Sequence, residues 1–353
     1  MQLSRKAIAR ITVSFAIALL LCLPCRAADS SDYVDALFAP PTAAELDAAL
    51  EQTQYAPQCV DFAFGEIYKE IGSGAIFHIT YTSDGYKQSG ILGIPAGKGP
   101  FPIAIFNHSG FGGISGFDVG EAERFVQQGY VVALATYRGE QDKGKNFPKA
   151  EGPMDVLGDE VHDILNLMEC AAALDTTDPD RIVMMGVSHG GGLTLSALLR
   201  TNRVKAAATF ASPINLTAPE IRDMVTNWIK TPSGVEAVLS ILVSNEGIKK
   251  LRTLIGIKDR DMARVPERRF EILRRSPTLY ADRITVPLAM HIGTEDPVGY
   301  EQDCEAVAAN LQARGIESTC VVFQGQGHAL KREDHEAARD KAFEFFEKYL
   351  NVQ

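Results

Sequence analysis

The sequence has no internal repeat, no low-complexity tract and no collagen-type glycine period. These absences exclude solenoid, disordered and fibrous proteins. Tryptophan occurs once, as Trp228, and only six cysteines are spread over 353 residues. With 23% charged and 46% hydrophobic residues, the chain is an ordinary globular protein that is long enough to bury a full core.

The apolar run at the N-terminus is too short to be a comfortable membrane span. It covers residues 11–23 and follows a basic segment that contains Arg5, Lys6 and Arg10. This order is typical of a secretory signal peptide. We therefore predict a signal peptide over residues 1–27 and a secreted or periplasmic mature protein; an uncleaved N-terminal anchor is the alternative.

The sequence also has no excess of basic over acidic residues. Removal of residues 1–27 changes the formal charge from −10 to −14, because that segment contains four basic residues and no acidic one. An acidic surface repels phosphate backbones and anionic lipid. We expect no nucleic-acid partner and no stable membrane partner after signal cleavage, whereas a neutral or cationic small molecule is easier to accommodate. The sequence leaves the oligomeric state open.

Four cysteines follow the predicted signal peptide, and none has the spacing of a metal site or a catalytic dyad. Export would permit disulfides. Cys304 lies on a predicted helix and Cys320 on the strand that follows it, so these two can come within bridging distance. The alternative is that they are free, buried cysteines that pack as small hydrophobic residues.

The most informative segment is residues 181–199, RIVMMGVSHGGGLTLSALL. A β-branched apolar strand ends at Gly186-Val187-Ser188-His189-Gly190 and leads into an apolar helix, the context of a nucleophile elbow. Gly186 and Gly190 leave room for the sharp turn that exposes the Ser188 hydroxyl. Because a helix N-terminus favours negative charge, the N–H of His189 is predicted to bind an oxyanion, with its side chain at the rim of the site.

The order of predicted elements indicates an α/β fold. Short strands over residues 75–106 suggest an antiparallel start, and apolar strands then alternate with helices, among them helices over residues 156–174 and 193–199. Such alternation predicts a mostly parallel central sheet with helices on both faces. Residues 28–74 are interpreted as an N-terminal lead-in and residues 75–353 as the main domain. A helical block at about residues 214–280 interrupts that domain, and we interpret it as a cap rather than as extra surface helices.

A serine nucleophile needs a base, and the base needs an acid that orients it. His328 lies in a glycine-rich loop after the last predicted strand, from which its ring can reach across the strand ends. The loop after the preceding strand contains Asp296, which gives the chain order Ser, Asp, His. Glu295 is the alternative acid, and either residue could instead serve as a turn residue before Pro297.

The second oxyanion donor is predicted in the segment Asn107-His108-Ser109-Gly110-Phe111-Gly112-Gly113, which we call the oxyanion loop. It follows an early core strand and is rich enough in glycine to turn its N–H groups toward Ser188. The N–H of Ser109 is the first choice and that of Gly110 the second. A plain turn is the alternative.

With these motifs in place, residues 75–350 resemble the α/β-hydrolases of the prolyl oligopeptidase and dienelactone hydrolase-like group. The segments Tyr137-Arg138-Gly139 and Asp180-Arg181-Ile182 are also typical of that group. The resemblance implies a serine hydrolase that uses Ser188, His328 and Asp296. Because a side chain or a backbone donor fills every catalytic role, we predict no metal or organic cofactor. Arg138 and Asp159 are expected to be structural partners.

Two departures from the group favour an esterase over a peptidase. Too few residues precede the sheet for the propeller that gates the family peptidases, and the oxyanion motif takes the form His108-Ser109-Gly110. A dienelactone hydrolase would carry cysteine where this chain has Ser188. We therefore predict hydrolysis of a carboxylic ester; the alternatives are a small-peptide hydrolase and a non-catalytic binding protein.

Overall fold

The computed structural model describes residues 31–141, 148–212, 214–242, 244–297, 299 and 301–351. The predicted signal peptide lies outside these residues. The strands are β1 (Val60–Ile71), β2 (Gly74–Ser83), β3 (Tyr86–Pro95), β4 (Phe101–Asn107), β5 (Val131–Ala135), β6 (Thr177–Val187), β7 (Val204–Phe210), β8 (Leu288–Gly293) and β9 (Ser318–Phe323). The helices are α1 (Ser31–Leu37), α2 (Ala43–Glu51), α3 (Gly116–Gln127), α4 (Glu160–Ala172), α5 (His189–Leu198), α6 (Pro219–Lys230), α7 (Pro232–Leu242), α8 (Asn245–Ile255), α9 (Val265–Arg274), α10 (Glu301–Ala313) and α11 (Arg332–Leu350), with short 3-10 helices at Met262–Arg264 and Pro277–Arg283.

All of these strands belong to one sheet, in the order β1-β2-β3-β5-β4-β6-β7-β8-β9. The pairs β1–β2, β2–β3 and β3–β5 are antiparallel, and the remaining pairs are parallel. The predicted α/β fold with a mostly parallel sheet and an antiparallel start is therefore confirmed.

Helices cover both faces of the sheet. Apolar side chains of α4, α5 and α10 pack on one face, and those of α3 and α11 pack on the other. Because both faces are covered, the central strands are buried along almost their whole length, as in β5, where every residue is buried. This packing holds the carboxyl ends of the parallel strands at one edge of the sheet, where the loops with the predicted site residues begin.

The helical block lies between β7 and β8 and contains α6 to α9. Its own apolar core is built around Trp228 and Val225. Tyr33 and Leu37 of α1 belong to the same core. The start of the described chain thus packs on the insertion and is part of its core.

The sheet begins earlier in the chain than predicted. β1 lies within residues 28–74, for which the sequence predicts only a lead-in, and pairs with β2 from Val60 to Ile71. Most of its side chains are exposed, as expected at the edge of a sheet. Its sequence therefore lacks the alternation of apolar and polar residues by which a half-buried strand is recognised.

Two helix starts also differ from prediction. The helix predicted from Val156 begins only at Glu160, since Leu157 has a left-handed backbone with φ 56° that cannot continue a helix. α5 begins at His189, before the predicted Leu193, because Ser188 turns sharply enough for the helix to start at the next residue.

Two disulfides connect the secondary structure. The predicted pair Cys304–Cys320 joins α10 to β9. A second disulfide, Cys59–Cys170, joins the residue before β1 to α4 and was not predicted.

Candidate active site

Ser188 occupies the turn between β6 and α5. Its backbone has φ 55°, a strained value for a residue with a side chain, and its N–H donates to the carbonyl of Phe210 at 2.8 Å. The two glycines that flank the turn leave no room for a side chain. A Cβ on Gly186 would lie 2.2 Å from the carbonyl oxygen of Gly190, and a Cβ on Gly190 would lie 2.1 Å from that of Asn107. The elbow is thus packed directly against the start of the oxyanion loop.

The structure brings together the three side chains that the sequence nominates. Ser188 Oγ lies 2.6 Å from Nε2 of His328, and Nδ1 of His328 lies 2.9 Å from Oδ1 of Asp296. Asp296 follows β8 and His328 follows β9, so both reach Ser188 from loops at the carboxyl edge of the sheet. The Asp296 carboxylate is buried, whereas the His328 side chain is 21% exposed.

Asp296 rather than Glu295 faces the histidine. The Glu295 side chain is exposed, and its backbone N–H donates to the carbonyl of Gln326 at 2.8 Å. Asp296 Oδ1 also accepts the N–H of Gly299 at 3.0 Å. The loops that contain the acid and the histidine are therefore joined through the backbone, and the acid is oriented by a second donor.

The oxyanion loop follows β4 and lies beside the elbow. Tyr137 donates from its hydroxyl to the carbonyl of His108 at 3.1 Å and stacks on the His108 ring. Burial raises the pKa of Tyr137 well above its ordinary value, so its hydroxyl stays protonated and remains a donor. This contact holds the backbone just before Ser109, whose N–H remains the predicted second oxyanion donor beside that of His189.

The sequence predicts the side chain of His189 at the rim of the site, and this prediction is wrong. The side chain is buried, and it contacts the Glu160 carboxylate and the carbonyl of Gly110. The reason is that α5 begins at His189, which turns this side chain inward beneath Phe111. No sequence signal marks Glu160 as its partner, because the contact depends on where α4 begins.

The expected structural partners do form ion pairs. Arg138 is paired with the buried Asp163 and with Asp84, and Asp159 is paired with Arg274. Within the described ranges, we find no group of three or more His, Cys, Asp or Glu residues that could hold a metal ion. The same ranges include no helix of sufficient length and apolarity to cross a membrane.

Two protein families match separate parts of the chain. Residues 116–236 match the Prolyl oligopeptidase family, and residues 272–351 match the Dienelactone hydrolase family. Among curated proteins, the chain is similar to dipeptidyl aminopeptidase BIII of Pseudoxanthomonas mexicana, with 25% identity over 248 residues. The match covers 70% of this chain but only 33% of that protein, so the chain spans about a third of its relative's length.

Solved structures show the same fold at low identity. Acetyl xylan esterase 1 from Thermoanaerobacterium sp. JW/SL YS485 has a TM-score of 0.58 and 18% identity, and the match covers 91% of this chain and 98% of that one. A puromycin hydrolase has a TM-score of 0.57 and 20% identity, with 78% of this chain and 39% of that one covered.

Proposed function

Because the chain belongs to the serine hydrolases of the α/β-hydrolase superfamily, we propose that it cleaves carboxylic esters through Ser188, His328 and Asp296. In the first half-reaction Ser188 Oγ bonds to the ester carbonyl carbon while His328 Nε2 takes the hydroxyl proton. The N–H groups of His189 and Ser109 bind the oxyanion. The carbon–oxygen bond to the alcohol then breaks, and His328 returns the proton to the leaving alcohol.

In the second half-reaction water takes the place of the alcohol. His328 removes a proton from the water, whose oxygen bonds to the acyl carbon, and the proton passes to Ser188 Oγ as the acid leaves. Asp296 keeps the hydrogen of the neutral imidazole on Nδ1 and stabilises the imidazolium that forms in each step. The contact of 2.6 Å between Ser188 Oγ and His328 Nε2 is the observation that carries this proposal.

The similarity to an acetyl xylan esterase supports an ester as the substrate. The match covers 91% of this chain and 98% of that one. Hydrolysis of a small peptide is the second candidate, supported by the family match over residues 116–236.

We also propose that the protein is exported. The pattern of residues 1–27 supports a cleaved signal peptide, and the two disulfides, Cys59–Cys170 and Cys304–Cys320, suit an oxidising compartment. Mass spectrometry of the protein recovered from the periplasm or medium tests this proposal. An intact N-terminus on a protein retained in the cytoplasm would contradict it.

The function is tested with a chromogenic ester series from acetate to octanoate, beside aminoacyl anilides. Ser188→Ala is expected to lower ester turnover by about 10⁶-fold without unfolding the protein. Ser240→Ala, which changes an exposed serine on α7, is the matched control. A fluorophosphonate probe should label wild type and Ser240→Ala at Ser188 and leave Ser188→Ala unlabelled.

Each outcome decides between the candidates. Ester turnover that depends on Ser188 supports the esterase, whereas turnover of anilides alone would favour the peptide hydrolase. Equal ester turnover by wild type and Ser188→Ala would overturn the assignment of the nucleophile. No turnover and no labelling of the wild type would favour a binding role.

A further inference from the structure

The side chain of His189, which follows Ser188, joins three segments of the chain. Its Nδ1 lies 3.0 Å from the carbonyl oxygen of Gly110, and its Nε2 lies 3.0 Å from Oε1 of Glu160. Its ring stacks on that of Phe111, with 4.2 Å between the centroids. One imidazole therefore connects the start of α5 to the oxyanion loop and to the first residue of α4.

The positions of the hydrogens follow from the partners. A carbonyl oxygen only accepts, so Nδ1 of His189 carries a hydrogen and donates it to Gly110. On the other side of the ring, Nε2 faces Oε1 of Glu160. The N–H of Leu157 is 3.4 Å from Nε2, long for a hydrogen bond, so Glu160 is the closer partner.

Both side chains are held in place by burial. His189 is 4% exposed and Glu160 is 1% exposed. The second carboxylate oxygen of Glu160 accepts the N–H of Gly158 at 2.8 Å. A buried polar group that loses its hydrogen-bond partner costs the folded protein its full desolvation free energy. Rotation of the imidazole away from its partners is therefore unfavourable, and the ring is confined to one orientation.

The segment before α4 packs on α5 beside this contact. Leu157 has φ 56°, a conformation that a branched side chain rarely adopts. A Cβ on Gly192 of α5 would lie 2.8 Å from Cδ2 of Leu157, so the Leu157 side chain packs directly on the helix that follows the nucleophile. Backbone strain of this kind persists only where surrounding contacts enforce it, and it clusters at functional sites.

We propose that His189 and Glu160 form a positioning pair that holds the oxyanion loop against the nucleophile elbow. The proposal rests on the proposed esterase function, since it concerns the orientation of the Ser109 N–H. Gly110 directly follows Ser109, so the bond that anchors the Gly110 carbonyl restricts rotation of the neighbouring peptide groups. The oxyanion exists only after attack has begun. Loss of the pair should therefore lower kcat and leave KM nearly unchanged.

Three substitutions of His189 separate the effect of its contact with Gly110 from that of its contact with Glu160. His189→Phe keeps a ring that can stack on Phe111 but has no donor, and we expect kcat to fall by about 100-fold. His189→Asn places an amide donor near the position of Nδ1, within reach of Gly110, and should stay within about 10-fold of wild type. His189→Gln places its amide near the position of Nε2, toward Glu160, and should resemble His189→Phe.

An alkylboronic acid gives a readout that a purely structural role would not change. Its tetrahedral adduct on Ser188 places an oxygen in the oxyanion site, so its affinity should weaken in His189→Phe by the same factor as kcat. His162→Gln is the matched control, because His162 also contacts a carboxylate, that of Asp84 at 2.8 Å, but not the oxyanion loop. Wild-type kcat, KM and boronate affinity are expected for the control.

Wild-type kcat and boronate affinity in a folded His189→Phe variant would overturn the positioning pair and leave the assignment of Ser188 intact. If His189→Phe does not fold, the comparison of His189→Asn with His189→Gln decides, and equal kcat values in those two variants would overturn the proposal. Absence of Ser188-dependent turnover in the wild type would overturn the proposed function together with the pair.

Discussion

Both carboxylate oxygens of Asp296 lie within hydrogen-bonding distance of Nδ1 of His328, at 2.9 and 3.0 Å. In Asp296→Asn the amide can present a donor to Nδ1, which favours the imidazole tautomer that cannot accept the Ser188 proton at Nε2. We expect kcat for esters to fall by about 10⁴-fold with little change in the free energy of unfolding. The pH-rate profile and urea denaturation of the variant measure the two effects.

Glu295→Gln is the matched control for this substitution. The side chain of Glu295 is exposed and adjacent in sequence, and only its backbone N–H joins the neighbouring loop. Its kcat should equal that of the wild type. A large loss in Glu295→Gln with an active Asp296→Asn would exchange the roles of the two acids.

Arg275 connects the insertion to the segment before α4. It donates to both carboxylate oxygens of Asp155, at 3.0 and 3.1 Å, and to the carbonyl of Val156 at 3.0 Å. Burial opposes ionisation of Asp155, but the Arg275 guanidinium outweighs it and holds the pKa of that carboxyl below its ordinary value. Arg275→Met leaves the acid without its main partner and should destabilise the protein by about 3 kcal/mol.

Urea denaturation of three variants separates this buried pair from surface ion pairs. Arg264→Gln removes an exposed pair with Glu267 and should change stability far less than Arg275→Met does, because solvent screens exposed ion pairs. The double variant Asp155→Asn/Arg275→Met should recover part of the loss, because no buried charge is then left alone. Equal losses in the single and double variants would contradict this explanation.

The site was predictable from the sequence where local chemistry determines geometry. The turn at Ser188 leaves no room for a Cβ at Gly186 or Gly190, so its glycines are visible in the sequence, and loops after β8 and β9 start at the same edge of a parallel sheet. The sequence therefore nominated Asp296 and His328, which the fold brings to Ser188.

Other features depend on tertiary contacts that carry no local signal. β1 is an edge strand with most side chains exposed, so it shows no apolar alternation. The buried orientation of His189 depends on Glu160, which lies 29 positions earlier in the chain. The start of α4 was misplaced for the same reason, because the left-handed backbone of Leu157 is enforced by packing and not by its own propensity.

The two disulfides close loops of very different length, with separations of 111 residues for Cys59–Cys170 and 16 for Cys304–Cys320. In the chain-entropy description, a disulfide stabilises by restricting the unfolded chain, and the restriction grows with loop length. The expected stabilisations are about 5 and about 3 kcal/mol, respectively.

Paired alanine substitutions test this order. Cys59→Ala/Cys170→Ala should lower the unfolding free energy in urea more than Cys304→Ala/Cys320→Ala does. Wild-type protein measured with and without dithiothreitol sets the upper limit for the combined loss. A larger loss in the Cys304 and Cys320 variant would show that loop entropy does not dominate.

Stability is expected to fall in mild acid because of His291, which lies on β8 and is 2% exposed. Burial lowers the pKa of His291 to about 4, below its ordinary value of 6.5. Between these two values the unfolded chain binds a proton that the folded chain does not, so stability decreases as the pH falls through this window. The contribution of this group is about 2 kcal/mol between pH 7 and pH 5.

His291→Asn keeps an amide for the Thr209 carbonyl, which the imidazole contacts at 3.3 Å, but it cannot titrate. Urea denaturation at both pH values should give a smaller loss for this variant than for the wild type, whereas equal losses would show that His291 does not cause the acid sensitivity.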